Sequence, residues 1–368
     1  MNLHRPLAAL GTAVVAVLGL VGCATEASGS DTGLSIVVTT TQLGDLTREV
    51  AGDDAAVTQL LKPNTSAHSF DPSAADLLAL GRADVLVMNG AGLEPWLEGA
   101  ISASGFDGQV FDASHAVALR EGHDDHDHGH DDGHGHDDDH GHDDDHGDSA
   151  ADSAEHEEHE GHADAAADDA ATAGSDQVAD PHLWTSIRNA IRIVDELAHT
   201  LEALDSPRAE AYIERGHAYA HRLEALDEWT TEQIDRVPAE QRLIVSNHDS
   251  LGYFNADYGI TYVGAVIPSF DDSAELSASD IDALVAAIRA SGAKAVFAEA
   301  SLSPKAAETI AREAGVRVFA GADALYVDSL GPAGSPAGTY IGAQVHNVER
   351  ILQSWGVEAA PPPAEVRE

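Results

Sequence analysis

The chain has 368 residues, with 64 acidic against 19 basic side chains and a formal net charge of −45 at pH 7. That surplus of carboxylates excludes a nucleic-acid partner, because phosphate binding needs clustered Lys and Arg. With Cys23 the only cysteine, no internal disulfide can form.

From the N-terminus, Arg5 precedes a run of Ala, Val, Leu and Gly over residues 7–22. The run is shorter than the roughly 20 apolar residues of a comfortable membrane span, so residues 1–22 read as an export signal. It closes on Leu20-Val21-Gly22-Cys23, which resembles the lipobox of bacterial lipoproteins. That resemblance implies that Cys23 is acylated, begins the mature chain and anchors it to the outer face of the cytoplasmic membrane. An acylated Cys23 is no metal ligand, which leaves His, Asp and Glu for any metal site. The plainer alternative is a secreted chain with a chance cysteine. Residues 23–33, rich in Ser, Gly and Thr, read as a flexible tether.

Strand-like and helix-like segments then alternate. Strands are expected at 34–39, 57–61, 84–88 and 109–111, with helices at 42–50 and 75–80 and a Pro-rich loop over 63–72. This is the pattern of βαβ units and a mostly parallel sheet. Residues 121–176 break it. They repeat His-Gly-His-Asp-Asp-Asp twice and then pass into Glu-His and Ala/Asp stretches with little to bury. They read as a disordered insert.

A second amphipathic helix is expected at 187–204. Ser206-Pro207 then caps a long helix over 207–237, with Tyr212, Ile213, Tyr219, Leu223 and Leu226 near one stripe. At 1.5 Å per residue it would span about 45 Å and run along two lobes. The βα rhythm returns with strands at 243–246, 260–267, 295–298 and 316–319. Ile281, Leu284, Val285 and Ile288 mark a helix ended by Gly292, and a last helix covers 340–355. The expected fold is α/β, with two lobes of mostly parallel four-stranded sheets, at 34–205 and 239–358. The rigid helix 206–238 would join them, residues 359–368 would form a tail, and any metal site would lie in the crevice between lobes.

Outside the insert, three histidines stand in loop or strand-exit contexts. His68 lies in Pro63-Asn-Thr-Ser-Ala-His-Ser-Phe-Asp-Pro72, His182 in Asp180-Pro-His-Leu-Trp184, and His248 in Val245-Ser-Asn-His-Asp-Ser-Leu-Gly-Tyr-Phe254. Ligands of open α/β sheets bind beyond the carboxyl ends of the strands. Three neutral imidazoles with one carboxylate suit a tetrahedral Zn²⁺ site. Spacing alone leaves open that each histidine merely steadies its loop.

Together these segments resemble the zinc and manganese receptors of ABC importers, the cluster A-I binding proteins, over about residues 34–355 apart from the insert. The resemblance implies that His68, His182 and His248 bind metal. It assigns the fourth ligand to Asp328 in Leu325-Tyr-Val-Asp-Ser-Leu-Gly331, with Val327 where Thr is usual. Asp323 is a competitor for the carboxylate role. Glu299, in Phe297-Ala-Glu-Ala-Ser-Leu-Ser-Pro-Lys305, is expected to orient a ligand imidazole from outside the ligand set or to make a helix-start contact. Manganese receptors of the family tend to carry Glu where His248 stands, so the transported ion is expected to be Zn²⁺ rather than Mn²⁺. The implied partner is the membrane permease of an ABC importer, and the chain is expected to act as a monomer.

The insert carries twelve histidines, His123, His126, His128, His130, His134, His136, His140, His142, His146, His156, His159 and His162. They suit weak auxiliary metal binding. Two other functions compete with the receptor. A zinc hydrolase would need an open coordination position, and no His-Glu-x-x-His is present, so no enzyme is expected. A surface metal-storage or adhesion lipoprotein would make the insert the main functional element.

Overall fold

The structure, a computed structural model, describes residues 33–121, 179–274 and 276–367. The expected signal, tether, Cys23 and nearly all of the His-rich insert lie outside the described residues.

The first sheet forms where the sequence turns apolar. Strands β1 (Ser35–Val38), β2 (Ala56–Gln59), β3 (Val85–Met88) and β4 (Gln109–Asp112) are all parallel, in the order β2-β1-β3-β4. The inner strands bury both faces, with Ile36, Val37, Val38, Val85, Leu86 and Val87 all shielded from solvent. A parallel sheet covered by helices on both sides produces that pattern. Helix α1 (Thr41–Ala51) starts at Thr40, whose hydroxyl accepts from the Leu43 N–H. Helix α2 (Ala74–Leu80) starts in a capping box of Ser73 and Asp76. Helix α3 (Leu97–Ser104) was not anticipated, since Leu-Glu-Gly-Ala-Ile-Ser-Ala-Ser shows no apolar stripe.

Helix α4 (Ile187–Leu204) has the expected bounds. Ser186 caps it, and Ile187, Ala190, Val194, Leu197 and Leu201 bury one face. After a tight turn at Ser206–Arg208, helix α5 (Ala209–Asp235) runs 27 residues, or about 40 Å. Near its start, Arg215 donates to the Val50 and Ala51 carbonyls at 2.7 and 2.8 Å, satisfying the end of α1. Near its other end, Trp229 donates to the Ala360 carbonyl, and the Ala360 N–H donates to Gln233. Gly216 lets α4 approach closely: a Cβ there would lie 2.6 Å from the Ala198 Cβ.

The second lobe holds β5 (Leu243–His248), α6 (Gly252–Tyr258), β6 (Thr261–Ile267), α7 (Ala278–Ser291), β7 (Ala295–Phe297), α8 (Lys305–Ala314), β8 (Arg317–Phe319) and α9 (Tyr340–Ser354). Its strands are parallel, as expected, but they hydrogen-bond as two pairs, β5 with β6 and β7 with β8. β5 packs beside β7, while a slip between Ile244 and Val245 interrupts its register with β6. The sheet separates two cores. Ile244, Ala295 and Phe297 face the large core shared with the first lobe; Val245, Val296 and Ala298 face a smaller one under α7 and α8. The expected tail carries a short helix, α10 (Ala364–Arg367).

Candidate metal centre

Four segments distant in sequence meet at the carboxyl edges of the sheets. His68 stands in the loop leaving β2. His182 opens the tight turn Leu183–Thr185, His248 is the last residue of β5, and Asp328 lies beyond β8. The buried histidines 182 and 248 have no exposed surface, and Asp328 is 3% exposed.

The potential ligand atoms of all four residues lie within 4.8 Å of one another. His248 Nε2 is 3.2 Å from His182 Nε2 and 3.3 Å from Asp328 Oδ2. His182 Nε2 is 3.8 Å from Asp328 Oδ1, and His68 Nε2 is 4.0 Å from Asp328 Oδ2. A tetrahedral ion with bonds of about 2.1 Å holds its donors about 3.4 Å apart. The observed spacings bracket that value. His68 Nε2 and both Asp328 oxygens are buried with no hydrogen-bond partner, a costly arrangement for groups that face only each other. A cation among them would relieve it.

Two outer carboxylates orient the inner rings. Asp180 Oδ1 lies 2.9 Å from His182 Nδ1 and also accepts the His182 backbone N–H. Glu299 Oε1 lies 2.5 Å from His248 Nδ1. Each ring thus points Nδ1–H outward and Nε2 toward the centre. The electrostatics split the two histidines. Burial holds the pKa of His182 well below its usual value, and the neighbouring histidines add to this against the pull of Asp328. Burial lowers that of His248 too, but Asp328 and Glu299 outweigh it and raise it to about 10. Asp328 is pushed up by burial, with His248 opposing.

The first lobe grips the Asp328 segment from both sides. Gln42 and Trp184 donate to the Val327 carbonyl at 2.6 and 2.8 Å. The Asn64 N–H donates to Ser329 Oγ, and the Leu330 N–H donates to Thr41 Oγ1. Position 327 therefore acts through its carbonyl, which Val supplies as well as Thr would. Asp323 is not in the cluster; it pairs with Arg350 at 2.8 Å.

Sequence reasoning missed the role of Asp180, although the order Asp-Pro-His carries the signal: an aspartate two residues before a histidine can cap its backbone. It also missed Asn89, which donates to the Pro181 carbonyl at 2.8 Å and steadies the same turn. Cys23 and the twelve insert histidines lie outside the described residues. Among the described residues no helix is long and apolar enough to cross a membrane.

Comparison with known proteins gives a consistent family. A sequence model of ZnuA, the zinc-uptake complex component A, periplasmic, matches residues 36–354. The manganese-binding lipoprotein MntA of Halalkalibacterium halodurans is 27% identical over 344 residues, covering 92% of this chain and 96% of that protein. The zinc-binding protein TroA of Treponema pallidum is 26% identical over 347 residues, covering 92% and 96%. The iron-binding protein YfeA of Yersinia pestis is 27% identical, covering 93% and 94%. The solved structure of Treponema pallidum TroA shares the fold, with a TM-score of 0.69 at 22% identity over 88% of this chain and 99% of that one.

Proposed function

The chain belongs to the ZnuA family of uptake-complex components, and from that premise we propose that it is the extracytoplasmic receptor that delivers Zn²⁺ to an ABC importer. Its family and relatives are transport components and not enzymes. The observation that carries the metal reading is the group of His68, His182, His248 and Asp328, whose ligand atoms lie within 4.8 Å of one another. Three imidazoles with one carboxylate suit a borderline ion such as Zn²⁺ better than Mn²⁺, which prefers oxygen-rich sites. Glu299, in this reading, keeps His248 oriented from outside the ligand set. The lobes in this reading are residues 34–205 and 239–358, and the expected joining helix over 206–238 is helical only at Ala209–Asp235, after a tight turn at Ser206–Arg208.

A manganese receptor is the second reading, and the likeness to the manganese-binding lipoproteins MntA of Halalkalibacterium halodurans and Bacillus subtilis favours it. Incubating the metal-free protein with equal, sub-stoichiometric Zn²⁺ and Mn²⁺, then measuring bound metal after gel filtration, separates the two. Predominant zinc on the tightest site supports the first reading; predominant manganese overturns it.

The proposal extends to the anchor and the partner. Cys23 is acylated on the outer face of the cytoplasmic membrane, and a monomeric receptor docks on a membrane permease. Relatives named lipoproteins support the anchor. Cys23→Ala should release the protein from membranes, and continued retention would refute acylation at that position. The twelve insert histidines form weaker sites that gather zinc for the crevice. Deleting residues 121–176 should remove the weak sites in a titration and spare one tight site. Loss of the tight site would refute this division.

A further inference from the structure

The loop between β6 and α7 carries a feature that the four-residue group does not use. Asp272 is only 8% exposed, and its Oδ2 is buried without a hydrogen-bond partner. Two residues earlier, the Phe270 ring lies 6.0 Å from the His182 ring. The loop is tied down beside the site. The Asp249 N–H, next to His248, donates to the Ser269 carbonyl at 3.2 Å. Asp271 accepts from the Ser273 N–H and hydroxyl at 2.8 and 2.7 Å. Asp272 is close enough for its charge to act on both His182 and His248, yet it stands outside the four-residue group.

A buried carboxylate oxygen without a donor is costly in a protein interior. A cation held close to that oxygen would relieve it. A fixed negative charge in a poorly screened crevice also raises the local concentration of cations and their rate of entry.

We propose that Asp272 is an acceptor carboxylate for the incoming divalent cation, drawing it under the β6–α7 loop and remaining beside the four-residue group as a further anion. This rests on the receptor reading above. It assigns a specific task to a residue of this chain: Asp272 speeds capture and strengthens retention, while the four-residue group fixes geometry.

The test uses the full-length chain and Zn²⁺ as the probe. The Trp184 ring lies 5.5 Å from the His182 ring, so stopped-flow tryptophan fluorescence reports the crevice. His248→Ala identifies the part of the signal that comes from this site. Asp272→Asn keeps the shape and removes the charge. A unit charge about 8 Å from a dication in water is worth about a fivefold change, so association at low ionic strength should slow about fivefold. The difference should shrink as salt rises past about 0.1 M, where the screening length falls to about 10 Å. Asp272→Glu should restore most of the rate, which separates a charge effect from damage to the loop. Wild-type rate and affinity in Asp272→Asn at low salt, or no restoration by Asp272→Glu, would overturn the proposal. If wild type and His248→Ala respond alike, the receptor reading itself fails and this assignment fails with it.

Discussion

Each lobe's sequence supplies two members of the candidate site, but the lobes are built differently. In the first lobe a continuous four-stranded sheet buries β1 and β3 on both faces. In the second the strands form two hydrogen-bonded pairs, and alternate residues of β5 and β7 face two cores. The Asp328 segment follows β8 in sequence, yet its hydrogen bonds run to Gln42, Thr41, Asn64 and Trp184 on the first-lobe side. His68, His182 and Asp328 are therefore fixed to the large shared body. His248, with Glu299 behind it, arrives from the layered second lobe. Cation binding across that seam would join one second-lobe nitrogen to three groups already tied together. Lobe closure should then be small, because α5 is anchored near both ends and bending it would break backbone hydrogen bonds.

The largest effect should follow from removing the one candidate ligand that the second-lobe strands supply. His248→Ala deletes a nitrogen and leaves Glu299 without its imidazole, so zinc affinity should fall by about a thousandfold or more, roughly 4 kcal/mol or above. Competition with a chelator measures this, and circular dichroism should show an intact fold. A loss below about tenfold would mean that the three first-body groups suffice, and the comparison would collapse.

Asp180→Asn addresses the first-body side. The amide retains an acceptor for the His182 backbone but no longer offers a carboxylate to Nδ1. Changes in such outer partners typically cost about 10- to 100-fold in metal affinity. An unchanged affinity would show that the turn at Leu183–Thr185 alone aims the ring.

These two cases also show what could be read from the sequence. The bounds of α4 were legible from its regular apolar stripe, but the start of α5 was not: Ser206-Pro207 falls in a separate short turn, and the long helix begins at Ala209 without a side-chain cap. The parallel sheets were legible from Val- and Ile-rich runs between helices. Helices α3, α6 and α8 were not: α3 lacks periodicity, α6 has seven residues, and α8 is an Ala-rich stretch behind Pro304. The candidate ligands were singled out one by one, but spacing could not bring residues 68, 182, 248 and 328 together. The grip on the Val327 carbonyl was invisible, since a backbone oxygen leaves no mark on residue identity.

Gly216→Ala tests the packing that holds the long helix to the first body. The added methyl would lie 2.6 Å from the Ala198 Cβ, so α4 and α5 must separate. Overpacking of this kind costs about 1–3 kcal/mol. Chemical denaturation of the metal-free protein should show that loss. Wild-type stability would mean that the two helices can slide apart freely.

The smallest expected effect lies on the seam itself. Asp45 of α1 accepts the N–H of Tyr340, the first residue of α9, at 2.7 Å. Burial raises its pKa from 3.8 to about 6, with the Tyr340 N–H opposing. A carboxyl whose folded pKa lies above its unfolded value favours folding when protonated. Its contribution is therefore fully present below about pH 3.8 and is lost as pH rises through about 6. The full shift would correspond to about 3 kcal/mol. Asp45 is half-buried, and the start of α9 favours a negative charge, so the net penalty at neutral pH should be nearer 1 kcal/mol. Asp45→Asn keeps the acceptor for Tyr340 and removes the charge. It should stabilise the metal-free protein by about 1 kcal/mol at pH 7.5, with the gain fading toward zero by about pH 4. Urea melts of both proteins at the two pH values measure this. A variant less stable than wild type at pH 7.5 would show that the ionised carboxylate is the better partner for α9, and that the two lobes are joined there by charge as well as by packing.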